Sequence, residues 1–146
     1  MNVVVGLIGL VALLIVARTL LGQITGAMGG APPGTPAEAT RFAPVETVAA
    51  LDPLFATSAG APVILFLHDP SCPISAGAYR RMTHLGGEVA LVNVQRAHAI
   101  SRTIETRTGV RHESPQVIVL QQGRAVWSAS HGAITATAVA AAAREV

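Results

Sequence analysis

The feature that most constrains the fold of this chain is an apolar run that ends shortly before its single cysteine. The run covers Val63 to Leu67 and consists only of Val, Ile, Leu and Phe. A short, continuously apolar segment is typical of a strand that is buried on both faces of a sheet. Cys72 and Pro73 follow after a short loop, and proline is favoured at the first position of a helix. The pattern therefore predicts a strand, a loop and a helix with Cys72 as its N-cap.

Further apolar patterns extend this unit into an α/β domain. The predicted helices are Val45–Ser58, Pro73 to about Leu85, Ala97–Thr108 and the residues after the capping Thr135, and the predicted strands are Val63–Leu67, Val89–Val94, Gln116–Leu120 and Ala125–Ser130. A βαβ order predicts parallel strands, and the Gly-containing turn at residues 121–124 predicts an antiparallel hairpin. We expect a four-stranded mixed sheet flanked by helices, which is the thioredoxin-like architecture, over residues 45–146.

Residues 1–22 are predicted to form a transmembrane helix that anchors this domain. The apolar segment reaches the roughly 20 residues needed to span a bilayer when it extends past Arg18 to Gly22. No basic residue precedes the segment, whereas Arg18 lies near its C-terminal end and Arg41 follows further on, which favours a single-pass protein with its domain in the cytoplasm. A cleaved signal peptide is the alternative, and it predicts an extracytoplasmic or secreted domain. Residues 23–44 are rich in Gly and Pro and are predicted to be a flexible linker.

Composition excludes several classes of function. The net charge is only +2, and no long basic run is present, so nucleic-acid binding has little support. A single cysteine cannot form an intramolecular disulfide framework. One cysteine with scattered histidines also does not match a closed zinc site, and we expect no metal centre.

The chemistry of the site is expected to depend on Cys72 and Ser75. The thiolate is the reactive form of cysteine, and a helix N-terminus favours it. Ser75 stands where a dithiol redox protein carries its second cysteine, so it can donate a hydrogen bond to the thiolate but cannot resolve a disulfide. A second small thiol must then complete the cycle. The alternatives are a buried, inert Cys72 and a Ser75 that only occupies a partly exposed helix position.

Three local patterns resemble the monothiol bacilliredoxin family of the thioredoxin superfamily. They are Ser71-Cys72-Pro73-Ile74-Ser75-Ala76, the segment from Thr108 to Gln116 with its His112-Glu113-Ser114-Pro115 string, and the segment from Trp127 to His131. The resemblance implies disulfide exchange with bacillithiol, a sugar–malate–cysteine thiol that acts as co-substrate, with no bound cofactor. The implied partners are client proteins carrying this thiol.

The same resemblance implies roles for individual residues. Cys72, Ser75 and a cis Pro115 correspond to the family's catalytic positions, and Ser71, Pro73 and Ser114 to positions that contact the thiol. Arg111 and His112 precede the proline and are candidates to contact the carboxylates of a malate-bearing thiol.

Two histidines differ in their expected relation to the site. His68 follows the buried strand and is a candidate for proton transfer to a leaving thiolate, whereas His131 is expected to lie outside the site. The alternative function is a membrane-tethered thioredoxin-like binding module whose cysteine does not turn over.

Overall fold

A five-stranded mixed sheet organises the part of the chain that the structure, a computed structural model, describes, which is residues 39–145. The elements in chain order are β1 (Arg41–Pro44), α1 (Leu51–Thr57), β2 (Val63–His68), α2 (Pro73–Met82), β3 (Glu88–Asn93), α3 (His98–Thr108), β4 (Gln116–Gln121), β5 (Arg124–Ser130), a 3-10 turn (His131–Ala133) and α4 (Ala136–Arg144).

The strands lie in the order β1-β3-β2-β4-β5. The first three are parallel, β4 runs antiparallel to β2, and β5 runs antiparallel to β4. The parallel pair and the hairpin confirm the predicted mixed sheet. The hairpin turns through Gln122 and Gly123, which both have positive φ angles, as a two-residue turn between twisted strands requires.

The predicted number of strands is wrong, because β1 adds a fifth strand at the edge beside β3. This strand covers only Arg41 to Pro44 and falls in residues that the sequence analysis assigns to the linker. It is too short to show an alternating pattern, and proline is tolerated there because an edge strand has N–H groups that need no partner. The helix predicted over Val45–Ser58 is also shorter, since residues before Leu51 form turns.

Helices cover both faces of the sheet. On one face, α1 and α3 bury an apolar cluster whose largest members are Leu51, Phe55, Leu65, Leu67, Ile104, Ile118 and Leu120. On the other, α2 and α4 bury a cluster that includes Phe66, Met82, Val89, Val117, Ile134 and Val139. Because β2 and β4 contribute to both clusters, the middle of the sheet is buried on both faces, as expected for strands whose sequences are continuous apolar runs.

The register of the sheet sets where the candidate site lies. Leu67 near the end of β2 pairs with Gln116 at the start of β4. The residues that follow β2 and the residues that precede β4 therefore emerge at the same edge of the sheet. Cys72 belongs to the first segment and Pro115 to the second.

Within residues 39–145, no helix is long and apolar enough to cross a membrane. The anchor predicted for residues 1–22 and the linker up to residue 38 lie outside the described residues.

Candidate functional site

Cys72 occupies the predicted position at the start of α2. It is the N-cap residue in an extended conformation, and Pro73 is the first helical residue. The backbone N–H of Cys72 donates to the Asp69 carbonyl at 3.2 Å, and its carbonyl accepts from Ala76 at 2.9 Å. The side chain makes no capping hydrogen bond, and the free cysteine is partly exposed. The alternative of a buried cysteine is therefore wrong, and Cys72 is a partly exposed residue at a helix N-terminus.

Ser75 lies one helical turn after Cys72 and is fully buried, so the alternative of a partly exposed helix position is wrong. Its hydroxyl oxygen accepts a hydrogen bond from the backbone N–H of Asp69 at 3.2 Å. The oxygen thus holds the segment that carries the cysteine. We call residues 68–72, from the last residue of β2 to the N-cap of α2, the thiol loop.

Side chains at the surface brace the thiol loop from outside. Asp69 Oδ1 accepts from the backbone N–H of Ser71 at 2.9 Å and from its hydroxyl at 2.8 Å. The Ser71 oxygen in turn accepts a hydrogen bond from Gln95. The Ser71 hydroxyl, aided by the Ser71 backbone N–H, lowers the pKa of Asp69, because both bonds stabilise the carboxylate. The Ser71 hydroxyl is thus engaged within the protein.

His68 begins the thiol loop and packs among aromatic rings. Its ring centroid lies 5.5 Å from that of Phe66 and 5.2 Å from that of Tyr79. Burial lowers the pKa of His68, opposed by the negative charge of Asp69 and by the backbone of Ser75. Its Nδ1 atom is buried and has no hydrogen-bond partner among the described residues. The imidazole is therefore neutral near pH 7, with one ring nitrogen turned into the protein.

We call residues 111–115 the proline loop. The Ser114–Pro115 peptide bond is cis, as the family resemblance implies, and Pro115 is buried. Arg111 is exposed and His112 is half-buried, with its Nδ1 atom unpartnered among the described residues. The Ser114 hydroxyl oxygen is likewise buried without a partner in that part of the chain.

Gln116, directly after the proline loop, is a site residue that sequence reasoning missed. Only 4% of its surface is exposed. Its Nε2 donates to the Arg111 carbonyl at 2.9 Å, and its Oε1 accepts from the backbone N–H of Glu113 at 3.3 Å. The motif contains this glutamine, but residue spacing alone carries no sign that its amide turns back onto the loop.

The expectation that His131 lies outside the site is wrong. Its backbone N–H donates to the Pro115 carbonyl at 3.1 Å, and its Nδ1 lies 3.7 Å from a carboxylate oxygen of Glu113. Arg81 of α2 donates to the carbonyls of Ile134 and His131 at 2.6 and 3.1 Å. The 3-10 turn therefore links the helix that starts at Cys72 to the proline loop. The two Arg81 contacts join residues that are 50 or more positions apart, so local patterns do not predict them.

The candidate residues thus form two groups at one edge of the sheet. Ser71, Cys72, Pro73 and Ser75 lie in or directly after the thiol loop, and Arg111, His112, Ser114 and Pro115 lie in the proline loop. No group of three or more His, Cys, Asp or Glu side chains that could hold a metal ion occurs within residues 39–145. The arrangement offers a partly exposed thiol at a helix start, beside a second loop with unpartnered polar atoms.

Comparison with known proteins agrees with this geometry. The family model described as Monothiol bacilliredoxin BrxC matches residues 43–139. A solved structure described as having a thioredoxin fold is 26% identical, with a TM-score of 0.63, and the match covers 69% of this chain and 92% of that one. Thioredoxin from Fasciola hepatica is 15% identical (TM-score 0.55; 70% and 96% covered). Mitochondrial thioredoxin 3 from Saccharomyces cerevisiae is 10% identical (TM-score 0.55; 72% and 95% covered). The fold is thioredoxin-like.

Proposed function

Because the chain belongs to the monothiol bacilliredoxin family, whose thioredoxin-like fold serves thiol–disulfide redox chemistry, we propose that it removes bacillithiol from mixed disulfides on client proteins. The observation that carries this proposal is the pairing of a partly exposed Cys72 with a serine at position 75. A thiol in this position can attack a disulfide, and a chain with one cysteine cannot close an internal disulfide afterwards. A low-molecular-weight thiol must then regenerate it.

The reaction has two exchange steps. First, the Cys72 thiolate attacks the bacillithiol sulfur of the mixed disulfide. The bond between Cys72 and bacillithiol forms as the original S–S bond breaks, and the client cysteine leaves as a thiolate. A second bacillithiol thiolate then attacks the adduct, which releases bacillithiol disulfide and returns Cys72 as a thiolate. One client disulfide is reduced and one bacillithiol disulfide is formed, so the electrons balance.

The proline loop supports binding of the client chain. Within the described residues, neither the backbone N–H nor the carbonyl of Ser114 pairs with another residue. An extended segment of a client can form hydrogen bonds with such groups by adding itself as a short strand. Ile74, two residues after Cys72, is 56% exposed and offers an apolar surface to a client.

Arg111 is the residue best suited to the carboxylates of bacillithiol. It is exposed, and it lines an open pocket of about 270 Å³ between the proline loop and β5, together with the polar residues Glu113, Ser128 and Ser130. A guanidinium binds a carboxylate through two parallel hydrogen bonds. The serine hydroxyls around the pocket suit a sugar.

Intact mass spectrometry of the full chain tests the function. The protein is exposed in parallel to bacillithiol disulfide and to glutathione disulfide, and the mass of the Cys72 adduct is followed over time. We expect faster formation of the bacillithiol adduct and its reversal by free bacillithiol. Arg111→Gln should reduce the preference for bacillithiol, while Arg124→Gln, in the exposed hairpin turn, should not.

Two other outcomes would change the conclusion. Equal rates with both disulfides would support thiol exchange without selectivity for bacillithiol. A folded chain that neither disulfide modifies would contradict exchange and favour a binding module without turnover.

We propose in addition that residues 1–22 anchor the domain to the membrane, with the domain in the cytoplasm. The support is the apolar sequence and the basic residues that follow it. Alkaline carbonate washing of host membranes tests the anchor. The full chain should stay in the membrane fraction and a chain without residues 3–22 should not. Release of the full chain, or its recovery in a shortened, secreted form, would contradict the anchor.

A further inference from the structure

Gln116 connects the rigid sheet to the loop that carries Pro115. Its backbone pairs with Leu67 of β2 on one side and with Ser130 of β5 on the other. The alternation of β4 places its side chain on the same face as Ile118 and Leu120, whose side chains are buried in the core beneath α1 and α3. The amide thus projects from the first residue of β4, a central strand of the sheet, next to the proline loop.

Both halves of the amide are engaged by the backbone of this loop. The NH₂ group donates to the Arg111 carbonyl at 2.9 Å, and the oxygen accepts from the Glu113 N–H at 3.3 Å. Because one partner is an acceptor and the other a donor, their chemistry fixes the orientation of the amide. A carboxylate at this position would have no N–H group to donate to the Arg111 carbonyl. An apolar side chain of the same length would have neither a donor nor an acceptor.

The two bonds turn these backbone groups of residues 111 and 113 towards the sheet. Ser114 is the next residue, and within the described residues its own backbone groups have no partner. The Gln116 amide therefore determines which backbone groups of the proline loop are hydrogen-bonded within the protein and which remain available to a client. The burial of the Gln116 amide matters as well, because water competes little for a hydrogen bond in a buried position.

We propose that Gln116 is a positioning residue that presents the Ser114 backbone to an extended segment of a client protein. This inference rests on the proposed function, because it concerns how the same site distinguishes its substrates. A disulfide on a peptide brings a backbone that can pair with Ser114, whereas bis(2-hydroxyethyl) disulfide carries no amide and no carboxylate. Gln116 thus raises the rate of exchange with protein-borne disulfides and leaves attack on this small disulfide almost unchanged.

The test compares two substrates and two variants of the full chain. The substrates are an Ala-Ala-Cys-Ala-Ala peptide with its cysteine joined to bacillithiol, and bis(2-hydroxyethyl) disulfide. Gln116→Met keeps the length of the side chain and removes both hydrogen bonds. The matched control is Gln121→Met, at the opposite end of β4. The rate at which iodoacetamide alkylates Cys72 measures the reactivity of the thiol without a contribution from binding of the disulfide substrate.

For Gln116→Met we expect the second-order rate constant for the peptide to fall about tenfold, the size of effect that loss of a backbone hydrogen bond with the substrate produces. Exchange with bis(2-hydroxyethyl) disulfide, which has no carboxylate for Arg111 and no amide for Ser114, and alkylation should stay within about twofold of the wild type. Hydrogen exchange at the Glu113 amide should speed up in Gln116→Met and not in Gln121→Met. If Gln116→Met does not fold cooperatively, Gln116→Asn, whose amide is one methylene too short to reach both partners, replaces it with the same expectation.

Two results would overturn the inference. An equal loss with both substrates would mean that Gln116 acts through the thiol or through general stability. No loss with the peptide would mean that the two Gln116 hydrogen bonds do not position Ser114. Failure of the proposed function has a separate signature: the wild-type chain would exchange with neither substrate, and the selective role of Gln116 would fall with it.

Discussion

The thiol loop and the proline loop meet at one edge of the sheet, but they are held in different ways. The thiol loop is braced by several bonds, of which those from Ser71 to Asp69 and from Gln95 to Ser71 lie at the surface. The proline loop takes both of its side-chain hydrogen bonds from a single buried amide, that of Gln116. In the proposed function, the first loop holds the attacking sulfur and the second binds the client. We therefore expect the thiol loop to tolerate the loss of any one surface contact better than the proline loop tolerates the loss of its glutamine.

The two loops are also connected across the molecule. Arg81, on the helix that Cys72 begins, donates to carbonyls in and after the 3-10 turn, and the turn's first residue, His131, donates to Pro115. This bridge ties the helix that Cys72 begins to the proline loop. We expect mutations within each loop to change the attack of the sulfur and the binding of the client separately.

The largest effect should come from the thiol loop itself. Cys72→Ser replaces the nucleophile and should reduce exchange with both substrates by at least about 1,000-fold, because a serine hydroxyl cannot form the mixed disulfide. The measurement is the release of bacillithiol from the peptide, with thermal unfolding as the control for folding. A Cys72→Ser chain that retained exchange would show that the sulfur in the thiol loop is not the nucleophile.

Ser75→Ala should have a moderate effect on stability. It removes the oxygen that accepts from Asp69 N–H, and the lost hydrogen bond should lower the free energy of unfolding by about 1 kcal/mol. The matched control is Ser101→Ala in α3, because Ser101 is equally buried but its hydroxyl has no partner among the described residues. Urea unfolding should show a loss for Ser75→Ala and little or no loss for Ser101→Ala. Equal effects would mean that the Ser75 bond does not hold the thiol loop.

The smallest effect concerns the pH dependence of the thiol loop. Burial lowers the pKa of His68 below its ordinary value of 6.5, so the unfolded chain takes up this proton at a higher pH than the folded chain does. The free energy of unfolding should therefore fall as the pH drops below about 6.5 and level off below the folded-state pKa of His68. Asp69, whose pKa is also lowered, adds a further loss only below its ordinary value of 3.8.

Urea unfolding at about pH 7.5 and about pH 5 measures the His68 contribution without that of Asp69. His68→Gln should reduce the difference between the two pH values, and His98→Gln, which removes an exposed imidazole, should leave it unchanged. An undiminished difference in His68→Gln would show that burial of this ring does not govern the acid sensitivity of the thiol loop.

Local signals predict the start of the helix after the thiol loop and the start of the last helix well. Pro73 after Cys72 predicts the start of α2, and the predicted cap Thr135 accepts a hydrogen bond from the backbone N–H of Ala138. Each of these depends on residues within one helical turn. Strand β1 was missed because its stability comes from pairing with β3, which is far away in sequence.

The proline loop was predicted only in outline. The motif around Pro115 identified the segment, but the roles of Gln116, Arg81 and His131 depend on which backbone groups the fold brings within reach. Gln95 was missed for the same reason, since its partner Ser71 lies 24 positions earlier. A polar side chain that bonds to the backbone has no sequence signature beyond its own identity, whereas caps and turns have one.

The most direct test of monothiol exchange is a single-turnover experiment with the full chain. The protein is mixed with an excess of the bacillithiol-carrying peptide in the absence of free thiol, and both released peptide and protein mass are followed. We predict that one equivalent of reduced peptide is released, that Cys72 gains one bacillithiol, and that turnover resumes only when free bacillithiol is added. Ser75→Cys should release the bound bacillithiol without added thiol, by closing a disulfide with Cys72. Release of reduced peptide without an adduct on Cys72, or no release at all, would contradict the account.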